Sequence, residues 1–144
     1  MPNHTQQLLI QLKNENHLVV CQALKELASN PTPSDAIIES VFQLLDSTII
    51  AVEKRALKTL TQFKEQALPI HLKLLSQFSR RLQAGGGCDY SCCGYQAYYA
   101  PVELYIETLL AVAGRKRIET ALAENLANLE EKTSQEIGFL ISEY

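Results

Sequence analysis

Three cysteines that lie close together are the residues of this chain whose type and spacing could do chemistry. Cys88, Cys92 and Cys93 form a C-x3-C-C pattern, and the fourth cysteine, Cys21, is far from them in the sequence. Thiolates bind zinc and iron–sulfur clusters, but a structural site normally takes four ligands. His71, which precedes the cluster, and Asp89, which lies within it, are candidates for the missing ligand. One interpretation is therefore a zinc or iron–sulfur site made of these three thiols and His71.

The same cysteines allow two other interpretations. Neighbouring thiols act as a redox switch when they are exposed and a nearby cation favours the thiolate, and Arg80 and Arg81 are close in sequence. Thiols that are only packed in a compact loop behave as small hydrophobes. We favour the packed interpretation, so we expect no cofactor and keep zinc or an iron–sulfur cluster as the alternative.

The cysteines belong to a longer insert, residues 83–101, whose composition differs from the rest of the chain. This stretch, QAGGGCDYSCCGYQAYYAP, holds four of the six glycines and four of the six tyrosines. Tyrosine supplies a large contact area at a low entropy cost and is enriched in binding surfaces. The candidate binding residues of the insert are Tyr90, Tyr95, Tyr98 and Tyr99.

On both sides of the insert, apolar residues recur at the spacing of amphipathic helices, and no segment alternates as a strand does. The sequence therefore predicts an all-α fold of about seven to eight helices. The caps and breakers place them at about 5–14, 17–28, 35–45, 49–64, from Pro69 to the insert, 101–113, 115–131, and in a last short helix capped by Thr133.

Part of the helical pattern repeats. Residues 8–27 align with residues 41–60 at an offset of 33. The apolar pairs are Leu12 with Leu45, Val19 with Val52, Ala23 with Ala56, Leu24 with Leu57, and Leu27 with Leu60. The same offset relates Ile37 to Ile70, Val41 to Leu74, Phe42 to Leu75 and Leu45 to Phe78, and after the insert Val102, Ile106 and Leu110 reproduce the spacing of Val52, Ala56 and Leu60. Helix pairs with such a period predict an α-solenoid, with the insert inside one repeat.

The repeated pattern resembles the HEAT family of helical repeats. The residues that carry the resemblance are Leu44, Leu45, Asp46, Val52, Ala56, Leu57 and Leu60, in an LL-turn-V-x3-AL-x2-L pattern. The resemblance is close over residues 5–80 and loose over residues 101–143. HEAT units commonly place an arginine after the valine, where this chain has Val20 and Glu53. The usual ladder of Asp–Arg pairs between units is therefore in doubt.

The resemblance implies a short α-α superhelix that binds along the concave face formed by its second helices. The implied binding residues on that face are Gln22, Lys25, Glu26, Lys54, Arg55 and Lys58. A solvated charged face is the alternative interpretation of the same residues. Some HEAT-like proteins act as bilin lyases or handle tetrapyrrole proteins, so the resemblance also admits ligand handling by the cysteine cluster.

The composition predicts one domain, 1–144, since a chain of 144 residues is long enough to bury a core. A net charge of −3 gives no general attraction to nucleic acid or to an anionic membrane. The first residues lack a basic region followed by an apolar one, and no apolar run approaches the roughly 20 residues that span a bilayer. We therefore expect a cytoplasmic protein.

No HExxH, GxSxG or paired-carboxylate motif is present, so we expect no catalytic residues and lean towards a protein that is not an enzyme. The last helix is apolar on more than one side, at Ile137, Phe139, Leu140 and Ile141, and it predicts self-association through that end. The function that we predict is a non-enzymatic scaffold that binds a protein partner through its concave face and the insert. The alternative is a metal- or thiol-dependent protein that uses Cys88, Cys92 and Cys93.

Overall fold

A computed structural model describes residues 4–30, 32–83 and 102–144, and their regular structure is helical without a strand. The all-α prediction is thereby confirmed for these residues. The α-helices are α1 (His4–Gln11), α2 (His17–Ala28), α3 (Asp35–Gln43), α4 (Ile50–Phe63), α5 (His71–Gln83), α6 (Val102–Val112), α7 (Arg115–Ala123) and α8 (Glu131–Ser142). Short 3-10 segments, Leu44–Asp46 and Lys64–Ile70, follow α3 and α4. None of these helices combines the length and the apolar character that crossing a membrane requires.

Side-chain caps fix the start of two helices where the sequence predicts them. The amide oxygen of Asn16 accepts a hydrogen bond from the backbone N–H of Leu18 at 2.9 Å. The hydroxyl of Ser34 accepts one from the N–H of Ile37 at 3.3 Å. Each cap satisfies a backbone donor that the first turn of a helix leaves unpaired.

Three predicted boundaries are wrong. Pro69 does not open α5, because it lies inside the 3-10 segment and α5 begins at His71. The seventh helix does not reach residue 131, because the backbone turns to positive φ at Asn125 and Asn128. Thr133 does not cap α8, which begins two residues earlier and has no side-chain cap. In the second case the helical spacing of leucines continues across a turn, where asparagine tolerates the left-handed conformation.

The helices pack in pairs and the second members of the pairs pack on one another. α1 contacts α2, α3 contacts α4, and α5 contacts α6. Across the pairs, α2 packs on α4 and α4 packs on α6. The last pair, α7 and α8, departs from this order because α8 packs against α5. The core runs through all of these contacts, and Leu24, Leu57, Phe78, Leu109 and Ile118 are among its fully buried side chains.

Most positions that match at an offset of 33 have the same burial, but Val19 and Phe42 are only partly buried, whereas Val52 and Leu75 are buried. Leu12, Ala23, Leu24 and Leu27 are buried, and so are Leu45, Ala56, Leu57 and Leu60. Burying a leucine contributes roughly 1.5–3 kcal/mol relative to leaving it exposed, so each matched position is a substantial constraint on the fold.

The predicted match between α6 and α4 is displaced by one residue. Val102 and Leu110 are only partly buried, whereas Tyr105, Ile106 and Leu109 are buried. The burial pattern of α4 recurs in α6 at an offset of 49, which sets Ala56 against Tyr105 and Thr59 against Thr108. A shift of one residue turns a helix by about 100°, so the predicted register presents the wrong side of α6 to α4.

Candidate functional site

The predicted binding face lies on the outward side of α2 and α4. Gln22, Lys25, Lys54 and Lys58 are exposed, and Arg55 is half-buried. The ion pairs found in the part of the chain that the structure describes involve none of the four cations. The structure therefore places these predicted residues at the surface of neighbouring helices.

A groove of about 230 Å³ adjoins this face where α4 meets α6 and the end of α2. Arg55 and Lys58 line it, while Gln22, Lys25 and Lys54 lie outside it. The remaining lining residues are Ala28, Thr59, Thr61, Gln62, Leu104 and Glu107. Sequence reasoning missed the wall supplied by α6, because its register on α4 was displaced by one residue.

Buried hydroxyl groups fix the helices that form the groove. The hydroxyl of Thr59 in α4 lies 3.0 Å from the carbonyl oxygen of Leu24 in α2 and 2.9 Å from that of Arg55 in its own helix. Thr108 of α6 lies 3.3 Å from the carbonyl oxygen of Leu57 in α4 and 2.8 Å from the hydroxyl of Thr61. These links join α2 to α4 and α4 to α6, so the walls of the groove are held by three successive helices.

On another side of α4 lies a buried charged network that the sequence did not reveal. Glu53 is fully buried, and its Oε2 accepts hydrogen bonds from Nε of Arg81 at 2.9 Å and from the hydroxyl of Tyr105 at 2.5 Å. Arg81 also donates through Nη2 to the carbonyl oxygen of Leu45 at 2.6 Å, and Gln77 donates to the same oxygen at 3.2 Å. The network joins α4, α5, α6 and the turn after α3.

Electrostatic interactions within the network keep Tyr105 and Arg81 protonated. Burial, the hydrogen bond to Glu53 and the negative charge of that carboxylate raise the pKa of Tyr105 far above the ordinary value of a phenol. Burial works to lower the pKa of Arg81, but its contacts with Tyr105 and Glu53 outweigh burial and raise that pKa. Neither group is poised to exchange a proton near neutral pH, so the network is suited to structure rather than to acid–base catalysis.

The network ties together the two helices that flank the insert. Arg81 lies in the last turn of α5, and Tyr105 lies in the first turn of α6. The rings of Phe78 and Tyr105 are stacked, with their centroids 5.4 Å apart. The tyrosines and cysteines of the insert, Tyr90, Tyr95, Tyr98, Tyr99, Cys88, Cys92 and Cys93, lie outside the described residues, and what the sequence predicts for them stays a prediction.

His71, the predicted fourth metal ligand, is the first residue of α5. Its Nδ1 lies 2.7 Å from the carbonyl oxygen of Leu68. A carbonyl only accepts, so Nδ1 is the donor in this contact. No group of three or more metal-ligating side chains occurs among residues 4–30, 32–83 and 102–144. His71 is separated from Gln83, where the insert begins, by the whole length of α5.

Two short basic runs make different contacts: Arg80 with Arg81 before the insert, and Arg115, Lys116 and Arg117 after α6. Arg80 lies 3.9 Å from Asp46, and Arg81 binds Glu53. Arg115 donates to the carbonyl oxygen of Ile141 at 2.6 Å and so covers the end of α8. With Lys116, Arg117 and His71 it also lines a groove of about 520 Å³ at the start of α7. Within the described residues, Arg80 and Arg81 of α5 therefore form ion pairs with other parts of the chain.

The last helix buries Ile137 and Ile141, leaves Leu140 partly buried, and exposes 64% of Phe139. Leu126 and Tyr144 are further large hydrophobic side chains that are exposed in this part of the sequence. The predicted self-association through α8 would have to use these exposed residues.

Comparisons with known proteins give no relative. No protein-family model matches the chain, and no curated protein or solved structure is significantly similar to it.

Proposed function

We propose that this chain is a HEAT-like α-solenoid that acts as a non-enzymatic scaffold for a protein partner. The partner binds the concave face formed by α2, α4 and α6, together with the insert 83–101. The observation that carries the proposal is the repeated link between the second helices. Thr59 reaches the carbonyl of Leu24, and Thr108 reaches the carbonyl of Leu57. Leu24 and Leu57 are themselves equivalent at the offset of 33, so one contact recurs between successive units.

The turn contacts supply a second support. HEAT units pair a turn aspartate with an arginine of a neighbouring unit. Here Asp46 lies 3.9 Å from Arg80 of the next first helix, and Glu53 is paired with Arg81 beside it. The ladder that the sequence put in doubt is replaced by pairs whose arginines come from α5. These pairs favour a chain of units in which each unit contacts the next.

The exposed face supports a binding role. It carries cations that make no ion pair within the described helices, beside a groove with fixed walls. When a partner binds a charged side chain on a rigid helix, the helix backbone loses little entropy.

Self-association through Phe139 and Tyr144 is proposed as a separate property, and light scattering at high concentration tests it.

Site-specific photo-crosslinking tests where the partner binds. A photoreactive residue is introduced at Gln22 or Lys54 on the proposed face, and in the control at the exposed Gln43 of α3. In an extract of the source organism, one protein should crosslink from both face positions and not from Gln43. A protein that crosslinks equally from all three positions, or no crosslinked protein, would contradict the proposal.

A second experiment tests the contribution of the insert. The triple substitution Tyr95→Ala, Tyr98→Ala and Tyr99→Ala should abolish capture of the crosslinked protein while the circular dichroism of the helices is unchanged. Capture that persists at the wild-type level would remove the insert from the binding surface and leave the face of α2 and α4 as the proposed site.

A further inference from the structure

We propose that the groove between α4 and α6 binds a short acidic segment of the protein partner, with a carboxylate of that segment held by Arg55 and Lys58. The inference rests on the scaffold function proposed above and adds the chemistry of the partner. Its experiment is designed so that the two proposals can fail separately.

The charge of the face is the first observation. Lys25, Lys54, Arg55 and Lys58 lie on the outward sides of α2 and α4, and none of them forms an ion pair in the described part of the chain. The chain as a whole carries a net charge of −3, so this cationic strip is a local exception. A partner of opposite charge is attracted to it and oriented on it.

Arg55 is placed to anchor a carboxylate. It is half-buried and lines the groove together with Lys58, three residues further along α4. Side chains at this spacing have Cβ atoms about 5–6 Å apart, so both cations can reach one carboxylate. The guanidinium binds a carboxylate through two parallel hydrogen bonds, and such bonds are stronger where water is partly excluded. Gln62, on the same groove, offers an amide to the backbone of the bound segment.

The cationic strip is narrow, and its width selects the kind of anion. Glu26, which lies 3.9 Å from His4, borders the strip on the side of α1. Glu103 and Glu107 are exposed on α6, and Glu107 lines the groove opposite Arg55 and Lys58. A nucleic acid or an anionic bilayer is charged along its whole length and would set its charges against these glutamates. A protein segment can place an acidic residue on Arg55 and a neutral or basic residue beside Glu107.

Fluorescence anisotropy with a labelled peptide of alternating glutamate and serine tests the groove directly. The wild-type chain should bind the peptide, and added salt should weaken binding, because the contacts are charged. Replacing Arg55→Gln and Lys58→Gln should weaken binding by about tenfold or more, since each charge-assisted hydrogen bond is lost. Arg55→Lys should bind more weakly than the wild type, because an ammonium does not replace the guanidinium fork.

The matched control is Lys116→Gln with Arg117→Gln, which removes the same two residue types from the start of α7 and should leave peptide binding unchanged. Equal binding by the groove variant and the wild type would overturn the inference. So would an oligothymidylate of equal charge that binds as tightly as the peptide and is lost in the same groove variant.

The crosslinking experiment separates the two proposals. If the crosslinked partner is retained by the variant with Arg55→Gln and Lys58→Gln, the scaffold proposal stands and the acidic-segment inference fails. If the peptide binds in the groove but no protein crosslinks from Gln22 or Lys54, the groove is a carboxylate site and the scaffold proposal fails.

Discussion

The Oε2 atom of Glu53 on α4 lies 2.9 Å from Nε of Arg81 on α5, and the carboxylate is fully buried. A buried carboxylate is stable only when its charge and its hydrogen-bonding capacity are both satisfied. Arg81 supplies the charge, and the hydroxyl of Tyr105 supplies a further hydrogen bond. This pair fixes the angle between helices that belong to different pairs, at the point where the chain enters and leaves the insert.

Removing Arg81 should destabilise the chain strongly. We expect Arg81→Ala to lower the free energy of unfolding by about 3 kcal/mol or more, because it leaves the buried carboxylate of Glu53 without its cation. Lys73→Ala is the control, since its 3.1 Å pair with Glu39 is exposed and should contribute less than about 1 kcal/mol. Urea denaturation measures both. Similar losses for the two variants would show that the buried pair has no special role.

Stability should fall at high pH through Tyr105. Its pKa in the folded chain is raised above the ordinary 10.0, so the folded state holds a proton that the unfolded state releases. The stabilisation is fully present below pH 10.0 and is lost as the pH rises from there towards the folded pKa. Tyr105→Phe should be less stable than the wild type at neutral pH. Above pH 10.0 its free energy of unfolding should fall less steeply than that of the wild type. Parallel curves of unfolding free energy against pH for the two proteins would contradict this account.

Replacing two glycines by alanine, one at a time, should change the stability of the chain in opposite directions. Gly114 has a φ of 82°, which side-chain-bearing residues rarely adopt, although nothing lies within 4 Å of an added Cβ. Gly114→Ala should therefore destabilise the chain by about 1–3 kcal/mol through the backbone alone. Gly138 lies inside α8, where an added Cβ would meet only Leu122 at an ordinary 3.8 Å. Gly138→Ala should stabilise the chain by about 0.5–1 kcal/mol. Thermal denaturation compares them, and shifts of the same sign would show that one backbone argument is wrong.

Elemental analysis separates the scaffold from the metal-dependent alternative. Protein purified without a tag should contain less than one zinc or iron per chain, and its four cysteines should all react with a thiol reagent after mild reduction. A stoichiometric metal that is lost in the variant Cys88→Ser, Cys92→Ser and Cys93→Ser would favour the alternative. His71→Ala then asks whether the histidine at the far end of α5 is a ligand, and unchanged metal content would remove it from the site.

The sequence predicted the helices because their signals are local. Apolar spacing and the caps at Asn16 and Ser34 depend only on neighbouring residues, and the leucines that match at an offset of 33 show the same local pattern twice. The predicted length of the seventh helix was wrong because apolar spacing does not show where a helix ends. The spacing of Leu122, Leu126 and Leu129 continues through the end of α7, but the chain turns at Asn125.

Only part of the candidate site was predicted from the sequence. The cations of α2 and α4 were predicted as binding residues from their place beside the buried stripe, and the structure puts them at the surface. The wall of the groove at Leu104 and Glu107 was missed, since the alignment of α6 on α4 was one residue out. Apolar residues at 102, 106 and 110 satisfy the helical spacing as well as those at 105, 106 and 109 do, so spacing alone does not choose the buried side.

The sequence by itself determined that the chain is helical, where its central helices bury their leucines, and which cations remain outside. Only the tertiary structure decided that Glu53 is buried and that Arg81 and Tyr105 are its partners. The physical reason is that the spacing of apolar residues does not predict whether a carboxylate is buried. The burial of Glu53 is favourable only because the fold brings Arg81 and Tyr105, which lie 28 and 52 positions further along the chain, into contact with it.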